Sequence, residues 1–388
     1  MKIPLFKIYS DKKDIEAVTK VIRAKEDWAI GQNIKRLEEL LAEYVGTKHA
    51  VLFNSGTSAL HALMIASGIG LNNEVILPSF TFIATANAPL FVGAKPVFAE
   101  IESETYGLDP GDVERKITKN TRAIMPVHYG GGPCKIRELA HIAKKHNVLL
   151  IEDAAESLGA KIGGKRVGTF GDAAMFSFCA PKVITTGEGG AIVTNSTRLY
   201  EKLMLVRSHG RQESENYFAT SSYMDYVELG YNFRMSNITA ALGISQLKKI
   251  DKIIRMRQGN AKYLTEKLSS LKEISLPLPP KGYTHIFQMY TVRVGGGELT
   301  RNRLKKYLNQ RGVMAKVYFP PIHLTSFYRK RFGYKENDLA TTERLSGEVL
   351  TLPMYPTITR HEMDYTASQI ERFFREKKRK KLSNKSFS

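Results

Sequence analysis

Lys182 closes the run Phe176-Ser177-Phe178-Cys179-Ala180-Pro181-Lys182 and stands ahead of a Gly-rich segment, Thr186-Gly187-Glu188-Gly189-Gly190. The apolar run before it reads as a strand, and Pro181 restricts the backbone, so the amine sits on a constrained loop at a strand end. A neutral lysine amine in such a place is the nucleophile that a Schiff base requires. Most lysines are solvated surface charges, and Lys182 alone does not stand apart from them. Two further segments change that. Asn54-Ser55-Gly56-Thr57-Ser58-Ala59-Leu60 follows another apolar run and opens a helical pattern. Its glycine lets the backbone come close, and a helix N-terminus offers N–H groups and a positive dipole to an anion such as phosphate. An ordinary Ser/Thr helix cap has the same composition. Ile151-Glu152-Asp153-Ala154-Ala155-Glu156 ends a third run with carboxylates. Asp153 suits a protonated ring nitrogen, the alanines leave room for a flat ring, and Glu156 is placed to reach a ring substituent. A turn-capping Asp and a solvent-facing Glu fit these residues too. The order separates the readings: phosphate-cup glycine, strand-end Asp, then Ser177 and Lys182 within one α/β stretch.

These residues need elements that bring strand ends together. Strands are expected at His49–Asn54, Glu74–Leu77, Lys95–Ala99, Arg122–Val127, Val148–Glu152, Ala173–Phe178 and Ala191–Thr194. Helical patterns such as Ser58–Ser67 and Lys135–His146 lie between them. Continuous apolar strands separated by helices predict a mostly parallel sheet covered on both faces, with ligands at its carboxyl edge. One long basic-amphipathic helix is expected over Ser236–Lys267. Beyond the Pro-rich Leu276–Pro280 come a strand (Gln288–Val294), a helix (Arg301–Arg311) and a strand near Ala315–Tyr318, a smaller α+β domain. The chain thus divides into a large domain over 1–250 and a small C-terminal domain over 251–388 that carries a basic tail.

Composition narrows the function. With 388 residues, 43% hydrophobic and 25% charged, the chain has the balance of a soluble two-domain protein. It has no apolar run near the ~20 residues that span a bilayer, no signal-peptide core, and only Cys134 and Cys179. A cytoplasmic location without disulfides or an integral membrane segment is expected. The net charge of +20 is spread along the chain, with one dense block at Arg375–Lys385. That block lacks the aromatic interleaving of a nucleic-acid surface, and no zinc-finger spacing occurs. Neither nucleic acid nor a metal is expected as a partner. A positive field also draws in anionic small substrates.

The motifs EDAAESLGA at Glu152–Ala160 and FSFCAPKVITTGEGG at Phe176–Gly190 resemble those of the DegT/StrS group of nucleotide-sugar aminotransferases, which depend on pyridoxal 5′-phosphate (PLP). The resemblance extends from the Gly31 region to Leu352-Pro353-Met354-Tyr355-Pro356, although Trp28-Ala29-Ile30-Gly31 is divergent. It implies the aspartate-aminotransferase (type I) fold, PLP as cofactor and Lys182 as its Schiff-base lysine. It also implies that Gly56 and Thr57 hold the phosphate with help from the Ser177 hydroxyl, and that Asp153 holds the ring nitrogen. Phe82, in Pro78-Ser79-Phe80-Thr81-Phe82, is implied to stack on the ring, though a core aromatic fits the same pattern. Glu156 falls where many relatives have Gln or His. Asn232, in Gly230-Tyr231-Asn232-Phe233-Arg234, matches a residue that reaches the phosphate in the neighbouring subunit, which implies a homodimer with a shared active site. His209 and His323 match positions near the sugar pocket and equally suit structural histidines, and the loop Arg211–Asp225 is expected to help select the sugar.

The implied reaction moves an amino group from L-glutamate to a nucleotide-diphosphate-linked 4-keto-6-deoxy sugar, giving a 4-amino sugar of the perosamine kind. Relatives with His in place of the lysine are sugar dehydratases, and Lys182 argues against that variant. A 3-keto sugar or inositol acceptor, and a basic regulatory protein on the same scaffold, stay as alternatives.

Overall fold

The computed structural model describes residues 1–212 and 224–385, with side chains to residue 377 outside that gap. All seven expected strands are present: β1 His49–Phe53, β2 Glu74–Pro78, β3 Lys95–Ala99, β4 Thr121–Ile124, β5 Leu149–Asp153, β6 Ala173–Ser177 and β7 Gly190–Thr194. They form one sheet in the order β1-β7-β6-β5-β4-β2-β3. Only β7 runs against its neighbours, β1 and β6; the other pairs are parallel. The carboxyl ends of β1, β2, β5 and β6 therefore share one edge. The strands are buried almost throughout, as expected where helices cover both faces. The helices Gly56–Ala66 and Ile83–Phe91 pack one apolar cluster with Phe53, Leu77 and Met175, while Leu37 and Leu41 of the helix Gln32–Val45 join another with Leu52 and Phe176.

A second, three-stranded antiparallel sheet places Tyr290–Val294 between Ile274–Ser275 and Val349–Leu352. Leu304 and Leu308 of the helix Gly297–Gln310, with Ile370 and Phe374 of the helix Arg360–Lys385, cover it. No described helix is long and apolar enough to cross a membrane.

Two expectations are corrected. The helix over Ser236–Lys267 is two helices, Asn237–Leu247 and Ile250–Leu268. Lys249 leaves helical geometry at φ −114°, ψ 6° and sets its Nζ 2.7 Å from Asp11 Oδ1 and 2.9 Å from Asp14 Oδ1. The break lets the first helix pack on the N-terminal helices while the second runs from the same large cluster into the C-terminal one. Residues 315–318 form no strand; Lys316 alone bridges Thr351. The start of the chain also reaches the C-terminal part. Ile3 bridges Val313 and packs in the C-terminal cluster, and Met354 N–H donates to the Leu5 carbonyl at 3.1 Å. The helix Ile250–Leu268 serves both parts, with Ile253 in the large cluster and Leu264 in the C-terminal one.

Arg257, on that shared helix, is fully buried, and its Nη1 donates to the carbonyls of Phe287 (3.0 Å), Gln288 (3.3 Å) and Met354 (3.2 Å). Burial pushes its pKa down to about 10. Arg257→Ala strands those carbonyls and opens a cavity, so it should cost about 3 kcal/mol or more in urea unfolding. A variant within about 1 kcal/mol of wild type would show that the carbonyls find other donors.

Candidate active site

The carboxyl ends of β1, β2, β5 and β6 open into one cavity of about 470 Å³, within the size range of small-molecule sites. Gly56, Thr57, Phe82, Asp153, Glu156, Ser177 and Lys182 all line it. At the end of β1, Ser55 caps the helix Gly56–Ala66. Its Oγ accepts the Ser58 N–H at 3.1 Å while Ser58 Oγ accepts the Ser55 N–H at 3.2 Å. The ordinary cap and the anion cup coexist because they use different groups. The Gly56 and Thr57 N–H groups, first in the helix, have no intrahelical acceptor. A Cβ on Gly56 would crowd Met175 Sδ and Ser177 Cβ at 3.3 Å. Behind the cup, a Cβ on Gly190 would lie 2.7 Å from Gly56 N and Cα. β7 passes there only because residue 190 has no side chain.

Asp153 ends β5 and is 3% exposed. Thr85 Oγ1 donates to its Oδ2 at 2.7 Å, and the Ala155 N–H donates to its Oδ1 at 3.1 Å. Burial pushes its carboxyl above the usual range, against the pull of Thr85, Ala155 and the Lys182 charge. A cationic group at the cavity wall would relieve that cost. Lys182 Nζ lies 3.4 Å from Glu156 Oε1, and Glu156 Oε2 accepts the Gly130 N–H at 2.9 Å. The lysine loop is pinned from both sides. Lys182 N–H donates to the Cys179 carbonyl at 3.0 Å, and Gln288 Nε2 donates to the Pro181 carbonyl. Ser177 Oγ accepts the Cys179 N–H at 3.3 Å. Phe82 precedes the helix Ile83–Phe91 and is 60% exposed at the cavity, which overturns its reading as a core aromatic.

Three residues lie elsewhere. Asn232 is exposed and does not line this cavity; its carbonyl accepts from Asn54 Nδ2 at 3.4 Å. His209 is exposed, at φ 62°, and also outside the cavity. His323 is fully buried and does not line the cavity, with Nδ1 2.7 Å from Ser79 Oγ and Nε2 3.1 Å from Glu343 Oε1. Both its nitrogens are committed, as befits a structural histidine. Of the loop Arg211–Asp225, residues 213–223 lie outside the described ones.

Sequence reading missed Thr85, whose only signal is a threonine four residues after Thr81 in an apolar helix start. It also missed Gln288, Lys316, Tyr318, Phe319 and Met354, which line the cavity from the C-terminal half. No local pattern marks those.

The residues present fit PLP: a glycine-shaped anion cup, a buried carboxylate that gains from a cationic partner, and a lysine lining the same cavity. Gly190→Ala pushes β7 into the cup backbone and should weaken PLP binding by about ten-fold or more, with a stability loss of about 1–3 kcal/mol. Titration of the apo-protein with PLP reads the first effect. An unchanged affinity would show that the cup does not depend on this contact.

Residues 9–371 match the DegT/DnrJ/EryC1/StrS aminotransferase family. The GDP-perosamine synthase of Caulobacter vibrioides is 37% identical over 345 residues, 88% of this chain and 90% of that one. The UDP-4-amino-4,6-dideoxy-N-acetyl-beta-L-altrosamine transaminase of Campylobacter jejuni is 36% identical over 83% of this chain and 85% of that one. In structure, Helicobacter pylori PseC, an aminotransferase involved in the biosynthesis of pseudoaminic acid, superposes with a TM-score of 0.90 at 30% identity, covering 97% of this chain and all of the other. The type I fold and the cofactor implied by the motifs are those of this group, and the chain belongs to the DegT/DnrJ/EryC1/StrS family of PLP-dependent sugar aminotransferases.

Proposed function

We propose that this chain transfers the amino group of L-glutamate to a nucleotide-diphosphate-linked 4-keto-6-deoxy sugar, yielding a 4-amino sugar. The observation that carries this reading is the convergence of Lys182, Asp153 and Glu156 on one cavity, with lysine and not histidine at position 182. The two relatives above, one named for perosamine and one for a 4-amino-4,6-dideoxy sugar, favour the 4-position.

PLP, when bound, supplies an electron sink for the charge left as a proton leaves carbon. Asp153 holds a proton at its ring nitrogen. The Gly56 and Thr57 N–H groups and the Ser177 hydroxyl would take the phosphate, and Phe82 would hold the ring from the cavity wall. Lys182 Nζ would take the proton from Cα of the amino donor and pass it to the cofactor carbon that carries the amine, and in the second half would take a proton from that carbon and deliver it to the sugar carbon that receives the amine. Glu156, 3.4 Å from Lys182 Nζ, steadies its ammonium form within each transfer. In this reading residues 1–250 bring the cofactor groups, while 251–388 close the cavity over the substrate through Gln288, Lys316 and Tyr318. Asn232, outside its own cavity, serves the phosphate site of a second copy, so the working unit is a homodimer. His209 is assigned to the sugar side of that shared site.

The test is spectroscopic. Purified with PLP, the protein should show the visible band of lysine-bound cofactor. L-Glutamate should bleach that band to the pyridoxamine phosphate form, and a 4-keto nucleotide sugar should restore it. Lys182→Ala should not turn over. A band that glutamate leaves untouched overturns the donor and favours dehydration. Absence of any band overturns the assignment of Lys182.

A further inference from the structure

Asp153 sits on β5, whereas the hydroxyl bonded to it comes from the segment after β2, two places away in the sheet order with β4 between. β4 ends at Ile124, and Val127 makes only a single bridge to Asp153. The short strand leaves Thr85 room to reach across its end. Thr85 Oγ1 lies 2.7 Å from Asp153 Oδ2 and 2.8 Å from Thr81 Oγ1, and both threonines are nearly fully buried at the cavity wall.

The direction of these bonds follows from proton counting. An ionised carboxylate only accepts, so Thr85 donates to Asp153. Its one proton is then spent, and Thr85 accepts from Thr81 in the second contact. The two hydroxyls form a relay whose donors all point toward Asp153. Hydrogen bonds to the charged form of an acid favour that form, and a chain of them polarises each member. Burial works the other way at this carboxyl.

We propose that Thr85, backed by Thr81, is a positioning residue that keeps the Asp153 carboxylate charged and oriented for the ring nitrogen of the cofactor. This rests on the assignment of Asp153 to that nitrogen under the proposed function. The relay acts on the cofactor through Asp153. Its loss is felt only by a ring that has a nitrogen to hold.

That property gives the test. Apo-protein is titrated with PLP and with 1-deazapyridoxal phosphate, the analogue whose ring nitrogen is replaced by carbon. Thr85→Val, which keeps the shape and removes the donor, should weaken PLP binding by roughly ten-fold or more, the scale of a hydrogen bond to a charged group. The analogue should bind the variant as it binds the wild type. Thr85→Ser should restore PLP binding. Thr81→Val, which leaves the Thr85 hydroxyl in place, should show a smaller loss confined to PLP, and it serves as the second variant if Thr85→Val does not fold. Equal weakening of both ligands by the valine variants, or no weakening of either, overturns the proposal while leaving the aminotransferase reading intact. A wild type that binds neither ligand overturns both. A failure in the sugar or glutamate assignment appears in amine transfer and leaves this binding ratio unmoved.

Discussion

A carboxylate shut away from water survives only where donors meet its oxygens, and two in succession, Glu152 and Asp153, end the middle strand of this sheet. Glu152 Oε1 accepts the Phe170 and Gly171 N–H groups, both at 2.8 Å. Its Oε2 accepts the Gly168 N–H at 2.7 Å and lies 2.9 Å from His128 Nε2. The Cys134 N–H donates to His128 Nδ1 at 3.1 Å, so the imidazole proton sits on Nε2 and points at Glu152. Burial works against the Glu152 charge, and His128 with the Gly168 and Gly171 amides outweighs it, holding the carboxyl below its usual range. The bonded loop at 168–171 leads directly into β6, the strand that ends at Ser177 and presents Lys182. Glu152 therefore couples the placement of Asp153 to that of the lysine strand.

The second constraint is closure. Strand ends alone make an open shelf, and a proton-transfer site gains from walls that limit water. The walls come from distant parts of the chain: Leu5 and Phe6 at the start, and Gln288, Tyr318, Phe319 and Met354 from the C-terminal half. Arg257 ties several of these together by holding the Gln288 and Met354 carbonyls at once. A buried cation without a carboxylate partner is costly, but here it binds the backbone of two cavity-lining segments to the helix shared by both cores.

Much of the large sheet was legible from residue order because each strand is a short, continuous apolar run between helices, and burial on both faces demands that pattern. The residues that line the cavity from the sheet edge were legible for a related reason: Gly56, Asp153 and Ser177 sit within a few residues of a strand end, and Lys182 follows shortly after. Legibility failed where partners come from afar. The break between Leu247 and Ile250 has no proline or glycine to mark it; it follows from Lys249 reaching Asp11 and Asp14. The stretch 315–318 has strand-like composition but pairs at one residue only. His323 has the sequence context of a site residue, and only the fold shows Ser79 and Glu343 occupying its nitrogens.

The sequence by itself determined the class of sheet and the placement of Gly56, Asp153, Ser177 and Lys182 at or just beyond strand ends, because each depends on local backbone form and on residues next to one another in the chain. Tertiary structure decided which groups meet. It brought Thr85 over the end of β4 to Asp153, put Glu156 beside Lys182, exposed Phe82 to the cavity and withdrew His323 from it. These outcomes rest on contacts between residues tens to hundreds of positions apart. Such contacts are set by how the layers pack, and no periodicity in a single stretch of chain encodes them.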